Sequence, residues 1–428
     1  MSSYHKTKHS LQPETKVSIP ESLEISLREI ACDVKDGLLS LSVALGMRVL
    51  KVMMENEVEQ IAGPRGKHNP RRRAFRHGTE QGSVTLGGRR VGVERPRVRT
   101  KQNKEVRIET YETFQDESAM TEAALQTMIH GLSSRDYRYA LEPVGEIDSR
   151  CTSKSTVSRK FVAATSAALK QLLERRLDNM HMVALLLDGV EIAEHTVVAA
   201  LGIDSAGSKH VLGVWEGATE NATVCKALLS DLVGRGLNTD QGVLVITDGS
   251  KALRAAVREV LGKKAEIQRC QVHKKRNVLE HLPESSRSWV GRKMEQIWIE
   301  PDYGRAVAGM KSLACKLEQD YPGAAASLRE GLEETLTVNR LKIPGLLKVS
   351  LRSTNAIETA FDKVRQHTRN VKRWRHGEQV LRWTAAGLLE AEEGFRKVKG
   401  YRQIPALIAA LAQRANPGTS STEQTAGN

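Results

Sequence analysis

Three acidic residues mark positions where this chain could do phosphoryl chemistry. Asp188 closes the apolar run Val183-Ala184-Leu185-Leu186-Leu187, and Asp248 closes Val243-Leu244-Val245-Ile246-Thr247. Glu358 lies in Arg352-Ser353-Thr354-Asn355-Ala356-Ile357-Glu358, at the first turn of an expected helix. Carboxylates drawn from separate parts of a chain are what Mg²⁺ takes, since it prefers oxygen ligands and shares them with substrate phosphate. Two such ions, about 3.5–4 Å apart, activate a water and relieve charge on the leaving oxygen of a phosphodiester. Asp188, Asp248 and Glu358 are therefore expected to be both catalytic and metal-holding, with two Mg²⁺, or Mn²⁺ in their place.

Each acid also has a plain structural reading. An aspartate at a strand end is often a turn former. Asn355-x-x-Glu358 has the spacing of a capping box, in which the glutamate only satisfies a backbone donor. Glu191 and Asp204 are rivals for the third acid, although Glu191 could point away from its partners and Asp204 belongs to a turn. Asp362, one helical turn beyond Glu358, is a further alternative.

Cys270 and His273 form a Cys-x-x-His pair. Structural zinc wants four ligands, and no second pair is evident, since His281 and Cys315 would complete a set only by coincidence. A site-supporting role is expected for both.

The elements that must position these residues can be read from periodicity. Leu23, Leu27, Ile30, Leu38, Leu41, Leu45, Val49, Leu50 and Met53 recur at helical spacing until Gly63-Pro64. Ser83–Leu86 and Arg90–Val93 flank Gly87-Gly88, which predicts a short hairpin. Helical patterning returns from Asp116 to Arg138. Ser153-Lys154-Ser155-Thr156 followed by Arg159 and Lys160 suits either a recognition helix of a helix-turn-helix or a plain capped helix.

From Met182 the pattern changes. Strands are expected at 183–187, 196–203, 211–215, 243–247 and 265–269, with helices at 221–237 and 251–261. Three strands in a meander, then helix, strand, helix, strand is a ribonuclease H-like order. The right-handed crossover rule places the fourth strand beside and parallel to the first. Asp188 and Asp248 should then be neighbours. From Glu284 to Arg340 the pattern is helical, and helices follow at about 356–372 and 378–397.

Charge points to the partner. The 428 residues carry 65 Lys and Arg against 51 Asp and Glu, a formal net charge of +14. Neutralising phosphates releases counterions, so such an excess favours polyanion partners, with a basic but otherwise ordinary soluble enzyme as the alternative. The excess is concentrated between Arg65 and Arg107 and again from Lys363 to Arg375. Arg71, Arg72, Arg73, Arg89, Arg90, Lys154, Arg159, Lys160, Arg365, Arg369, Lys372 and Arg373 are the expected DNA contacts. Five cysteines without a close Cys-x-x-Cys pair argue against a disulfide framework. No apolar run approaches the about 20 residues of a membrane span, and the N-terminus lacks a signal-peptide core. A cytoplasmic, nucleoid-associated protein is expected.

The order of Leu186-Leu187-Asp188-Gly189, Ile246-Thr247-Asp248-Gly249, the stretch Arg269-Cys270-Gln271-Val272-His273-Lys274-Lys275-Arg276-Asn277-Val278, and Arg352 to Glu358 resembles the Mutator-related transposases of bacterial insertion sequences. The resemblance runs from about Asp116 onward and implies a DDE-type ribonuclease H-like core with a helical insertion before the final glutamate. It also implies binding of terminal inverted repeats, nicking of the ends and joining of the 3′-OH to target DNA, by a homodimer or larger assembly. One departure is that Asp188 is followed by Gly189-Val190-Glu191-Ile192-Ala193-Glu194-His195, where the family usually has an aromatic and then basic residues.

The resulting expectation is an α/β ribonuclease H-like catalytic core with an all-α insertion, preceded by a mainly helical DNA-binding N-terminal region. Its parts are 1–62, helical; 63–115, Arg-rich and DNA-contacting; 116–180, helix-turn-helix-like; 181–283, first part of the core; 284–345, helical insertion; 346–400, final core helices; and 401–428, a partly disordered tail. Two rivals share the fold: a nuclease or resolvase without strand transfer, and a non-catalytic DNA-binding regulator, which would be expected to have lost an acid.

Overall fold

Unbroken apolar runs, buried on both faces, build the central sheet. The computed structural model describes residues 38–67, 72–86, 89–116, 118–137, 153–217 and 222–415. The expected helix start at Glu21, Arg71, the Gly87-Gly88 turn and the polar stretch after Ala415 lie outside these residues. The chain divides into two units, 1–123 with 138–156, and 124–137 with 157–428.

In the first unit, helix α1 (Leu38–Ala62) packs on a three-stranded antiparallel sheet of β1 (Ala74–Leu86), β2 (Arg89–Thr100) and β3 (Glu105–Val106). Leu50, Met54 and Val58 of α1 meet Val84, Val93 and Val98 of the sheet. Glu57 accepts from the backbone N–H groups of Glu109 and Thr110, fixing the short helix α2 (Glu109–Thr113) to α1. A three-stranded sheet thus joins the helices of this region, and the hairpin is far longer than the four-residue arms expected. Its arginines hid the period: Arg95 and Arg97, counted only in the Arg-rich segment, pair across strands with Glu80 at 2.8 Å and Glu105 at 2.6 Å.

Helix α3 (Ser118–Ile129) is followed in the described residues by α4 (Lys154–Glu174). The turn that would make these a helix-turn-helix falls in 138–152, outside the described residues.

The second unit holds a five-stranded sheet: β4 (Met182–Ile192), β5 (His195–Asp204), β6 (Lys209–Gly217), β7 (Val243–Thr247) and β8 (Ala265–Arg269), in the spatial order β6-β5-β4-β7-β8. The first three pair antiparallel, while β4, β7 and β8 run parallel. The expected adjacency of the first and fourth strands is present. Helix α5 (Ala222–Gly234) makes the crossover, and α6 (Lys251–Val260) joins β7 to β8.

Period-two alternation splits the side chains between two layers. Leu185 and Leu187 of β4, with Val243 and Val245 of β7, pack with Leu228, Leu232 and Val257 of α5 and α6. Ala184 and Leu186, with Leu244 and Ile246, face the other layer. That layer contains α13 (Asn355–Thr368), α14 (Gly377–Glu393) and α15 (Ile404–Ala415). Helix α15 corrects the reading of 401–415 as tail, because Ile404, Leu407 and Leu411 at helical spacing are buried in this core. No described helix is long and apolar enough to cross a membrane.

Between β8 and α13 stand α7 (Gln271–Glu280), α8 (Glu284–Ile299), α9 (Tyr303–Glu318), α10 (Pro322–Arg329), α11 (Thr337–Arg340) and α12 (Gly345–Leu351). Met294, Trp298, Met310, Leu313 and Leu328 give α8–α10 a core of their own.

Candidate active site

Strand parity brings the acids together. Leu187 lies opposite Thr247 in the parallel β4–β7 pair, so the next residues, Asp188 and Asp248, are neighbours. Asp188 keeps the parity of Ala184 and Leu186, which directs it to the α13 layer that carries Glu358. It does not end its strand as expected, because β4 continues to Ile192 through Val190 and Ile192, which are also buried. Asp248 directly follows β7, and Asp248 Oδ1 accepts from Ser250 N at 2.8 Å to start α6. Gly249 has φ +107, and a Cβ there would strike the Arg269 guanidinium, so this turn requires glycine.

Backbone hydrogen bonds tie the remaining pieces to the same place. Cys270 N donates to Thr247 O at 2.7 Å, and Gln271 N donates to Arg352 O at 2.9 Å. The start of α7 is thereby fastened both beside Asp248 and to the segment that enters α13. Thr354 N in turn donates to Cys270 Sγ at 3.4 Å. Thr354 Oγ1 donates to Glu358 Oε1 at 2.6 Å and lies 3.4 Å from His273 Nδ1. His273 Nε2 is 3.9 Å from Glu358 Oε1.

This geometry decides against the capping box. The cap residue of α13 is Thr354 rather than Asn355, which puts Glu358 at the fourth helical position. The Thr354 N–H that a capping glutamate would bind is taken by the Cys270 sulfur. The rivals for the third acid go elsewhere. Asp204 caps its turn, accepting from Ala206 N and Ser208 N. Asp362 is exposed and pairs with Arg365 at 2.7 Å, and Glu191 is exposed on β4.

The electrostatics follow from burial. Asp188 is only 6% exposed. Burial, and then the neighbouring Asp248 charge, push its carboxyl up to about 7. A hydrogen bond to Cys270 pushes the His273 imidazole up to about 9 against the effect of burial, with help from the charges of Glu358 and Asp188. Burial raises the Cys270 thiol, but bonds from His273 and Thr354 outweigh it and the net pull is down.

Two ligand sets could be drawn from these residues. Asp188, Asp248 and Glu358 supply hard oxygen donors, and a buried carboxylate pushed up by a like-charged neighbour is what a divalent cation relieves. Their chemistry fits Mg²⁺. The second set is Cys270, His273 and Glu358, whose ligand atoms lie within 4.8 Å of one another. It offers three ligands, and Thr354 already engages its sulfur and its Nδ1. Neither His281 nor Cys315 joins that group. The expected result of elemental analysis on purified protein is accordingly well below one zinc per chain, with cleavage unaffected by a zinc-selective chelator. About one zinc per chain, with unfolding on its removal, would contradict this.

Several residues of the Arg269–Val278 stretch have a role that their types concealed. Lys274 is 1% exposed, and its Nζ donates to Ser327 O and Glu330 O. Arg269 Nη1 donates to Glu330 O at 2.9 Å, and Gln271 Nε2 to Thr335 O at 2.8 Å. Gln268 Nε2 also reaches Thr335 O, at 3.0 Å. These side chains fasten the 327–335 segment of the helical block to the strand and helix that carry Cys270 and His273. Charge made them look like surface residues; the only hint was their density beside a strand end.

The expected DNA contacts are distributed as follows. Arg71 lies outside the described residues. Arg73, Lys154, Arg159, Arg369, Lys372 and Arg373 are exposed, and Arg90 and Lys160 are half-buried. Arg365 is exposed but paired with Asp362. The Arg72 guanidinium stacks 4.5 Å from the Phe75 ring centroid. Arg89 departs from expectation, being 4% exposed, because β2 parity places it on the inner face with Val91 and Val93.

Comparison with known proteins identifies the family. The family model "Transposase, Mutator family" matches residues 15–398. The chain is 28% identical over 387 residues to the transposase for insertion sequence element ISRM5 of Rhizobium meliloti, covering 88% of this chain and 93% of that protein. It is 31% identical over 260 residues to the transposase for IS6120 of Mycolicibacterium smegmatis, 59% of this chain and 78% of that protein. The transposase for IS256 in transposon Tn4001 of Staphylococcus aureus is 24% identical over 360 residues, 81% of this chain and 88% of that protein. The family model covers most of the chain, and these relatives are all transposases of insertion sequences: the chain belongs to the Mutator family of insertion-sequence transposases.

Proposed function

We propose that this transposase binds the terminal inverted repeats of its element, nicks the ends by metal-assisted hydrolysis and joins the freed 3′-OH to target DNA, using a ribonuclease H-like core. The observation that carries this reading is the adjacency of Asp188 and Asp248 on paired parallel strands, with Glu358 delivered to the same place by Thr354 and His273. Asp188, Asp248 and Glu358 would hold two Mg²⁺, or Mn²⁺, which would supply positive charge to the reacting phosphodiester.

The side chains do the rest. Thr354 fixes one Glu358 oxygen, leaving the other for ligation. His273, protonated at neutral pH, is placed to donate to a non-bridging phosphate oxygen. The clamp through Arg269, Gln271 and Lys274 keeps the helical block seated beside the acids. The DNA strand is held by Arg159, Arg369, Lys372 and Arg373, and by Arg72, Arg73 and Arg90 of the first unit. Joining two ends requires at least a homodimer on DNA.

The test is a gel assay with labelled element-end DNA, target DNA and Mg²⁺. Nicked ends and joined product are expected. Nicking without joined product would instead favour a nuclease or resolvase, and binding without either would favour a regulator. Salt supplies an independent check on the DNA contacts. The affinity of the full chain for duplex should fall steeply from 50 to 200 mM salt, and Arg73→Ala should reduce the log–log slope by about 0.9. An unchanged slope in Arg73→Ala would remove that residue from the interface.

A further inference from the structure

Two basic segments that are far apart in sequence converge on one cavity in the second unit. Helix α4, which bears Arg159 and Lys160, contributes Ser158, Phe161 and Val162. The 370–376 loop, which bears Lys372 and Arg373, contributes Val371, Arg375 and His376. The cavity has a volume of about 470 Å³, within the range of small-ligand pockets, and no carboxylate lines it.

Its two ends differ in character. The floor is aromatic: Phe161 and Trp383 lie 4.6 Å apart, centroid to centroid, with Trp374 edge-on to Trp383 at 6.4 Å. The lip is apolar and open, formed by Leu132 and Val162, each 42% exposed. Arg375 and His376 are exposed at the loop side. The wall carries a buried cation, Arg382. Its Nη1 donates to Thr165 Oγ1 at 2.8 Å, and its Nε pairs with Glu378 Oε1 at 3.6 Å.

An apolar slot with Arg375 and His376 at its rim suits one flat ring joined to a phosphate. A base pair cannot enter such a cavity, whereas a single base can once it leaves the stack. We infer that this cavity receives one unstacked nucleotide of the DNA that the enzyme is processing, with the base against Val162, Phe161 and Trp383 and its phosphate toward Arg375. The loop follows the C-terminal end of α13, whose axis places Thr368 about 15 Å from Glu358. The slot is therefore within one DNA turn of the acids. This inference rests on the proposed action on DNA and names a part of the substrate that the acids do not contact.

The test uses the full chain and two probes, a 12-residue oligothymidylate and a 25-bp duplex, followed by fluorescence anisotropy. Val162→Trp fills the slot at an exposed position, so the fold is preserved, which an unchanged melting curve verifies. It is expected to weaken oligothymidylate binding about tenfold or more, the scale of losing one stacked base. Duplex affinity should change less than about twofold. A 5-iododeoxyuridine version of the oligonucleotide should photocrosslink to the peptides holding Phe161, Val162 or Trp383. Unaltered oligothymidylate affinity in Val162→Trp, or crosslinks confined to other peptides, would overturn the slot and leave the catalytic reading untouched. Failure of the wild-type chain to bind either probe would overturn both.

Discussion

Asp188→Asn is expected to abolish Mg²⁺-dependent cleavage and, at the same time, to make the metal-free protein more stable at pH 8. The first effect follows from loss of a carboxylate proposed to hold metal. The second follows from burial: a group 6% exposed and beside Asp248 ionises in the folded protein only near pH 7. An unfolded chain releases that proton near 4. The folded state thus holds the proton more tightly, so stability due to Asp188 is intact below about pH 4, falls as pH rises to about 7, and stays low above. His273, raised to about 9, acts in the same direction at higher pH, since its contribution is lost as pH rises through that value. Comparison of wild type and Asp188→Asn at matched pH isolates the aspartate. In EDTA the variant should melt a few degrees higher at pH 8 and close to wild type at pH 4. Added Mg²⁺ should stabilise wild type at pH 8 and the variant little. A variant that cleaves normally, or that is less stable at pH 8, would remove Asp188 from the metal site. Asp248→Asn should likewise lose cleavage while keeping DNA binding.

The core of this site was legible in the sequence for a physical reason. Strands buried on both faces read as unbroken apolar runs, so 183–187 and 243–247 announced themselves, and handedness then placed them side by side. The strand continuing past Asp188 was not legible, because Glu191 and Glu194 broke the apolar pattern that Val190 and Ile192 carry. The β1–β2 hairpin was legible at its tip, but its full length was hidden by arginines whose partners, Glu80 and Glu105, are distant in sequence. Lys274 shows the same difficulty in reverse: a lysine that reads as solvated surface is buried because backbone carbonyls at the end of α10 accept its protons. Thr354 was passed over because nothing in its type distinguishes a hydroxyl that bridges two functional groups from one that begins a helix.

Glu358→Gln carries the second large effect. The substitution keeps shape and removes charge. Nicking and joining are expected to fall by more than the about 10–100-fold typical of an outer-shell partner. Folding and DNA binding should persist, since Gln can still accept from Thr354 Oγ1. Thr354→Val removes the hydroxyl that holds Glu358 and faces His273, and should cost that outer-shell amount, about 10–100-fold, with little change in stability. Asn355→Ala separates this account from helix capping. Asn355 is not the cap of α13, so its replacement should cost less than the about 0.5–2 kcal/mol of a lost cap. Normal transposition by Glu358→Gln, together with a marked loss of stability in Asn355→Ala, would restore the capping interpretation.

The ions are proposed to sit on Asp188, Asp248 and Glu358 and not on the cysteine and histidine beside them. Iron-directed backbone cleavage reads this out: Fe²⁺ replaces Mg²⁺ in the full chain, ascorbate and peroxide generate radicals at the bound ion, and the cut sites are mapped. Cuts flanking Asp188 and Asp248, suppressed by excess Mg²⁺ and lost in Asp188→Asn, are the predicted result. Cuts confined to the neighbourhood of Cys270 and His273, insensitive to Mg²⁺ and unchanged in Asp188→Asn, would contradict it.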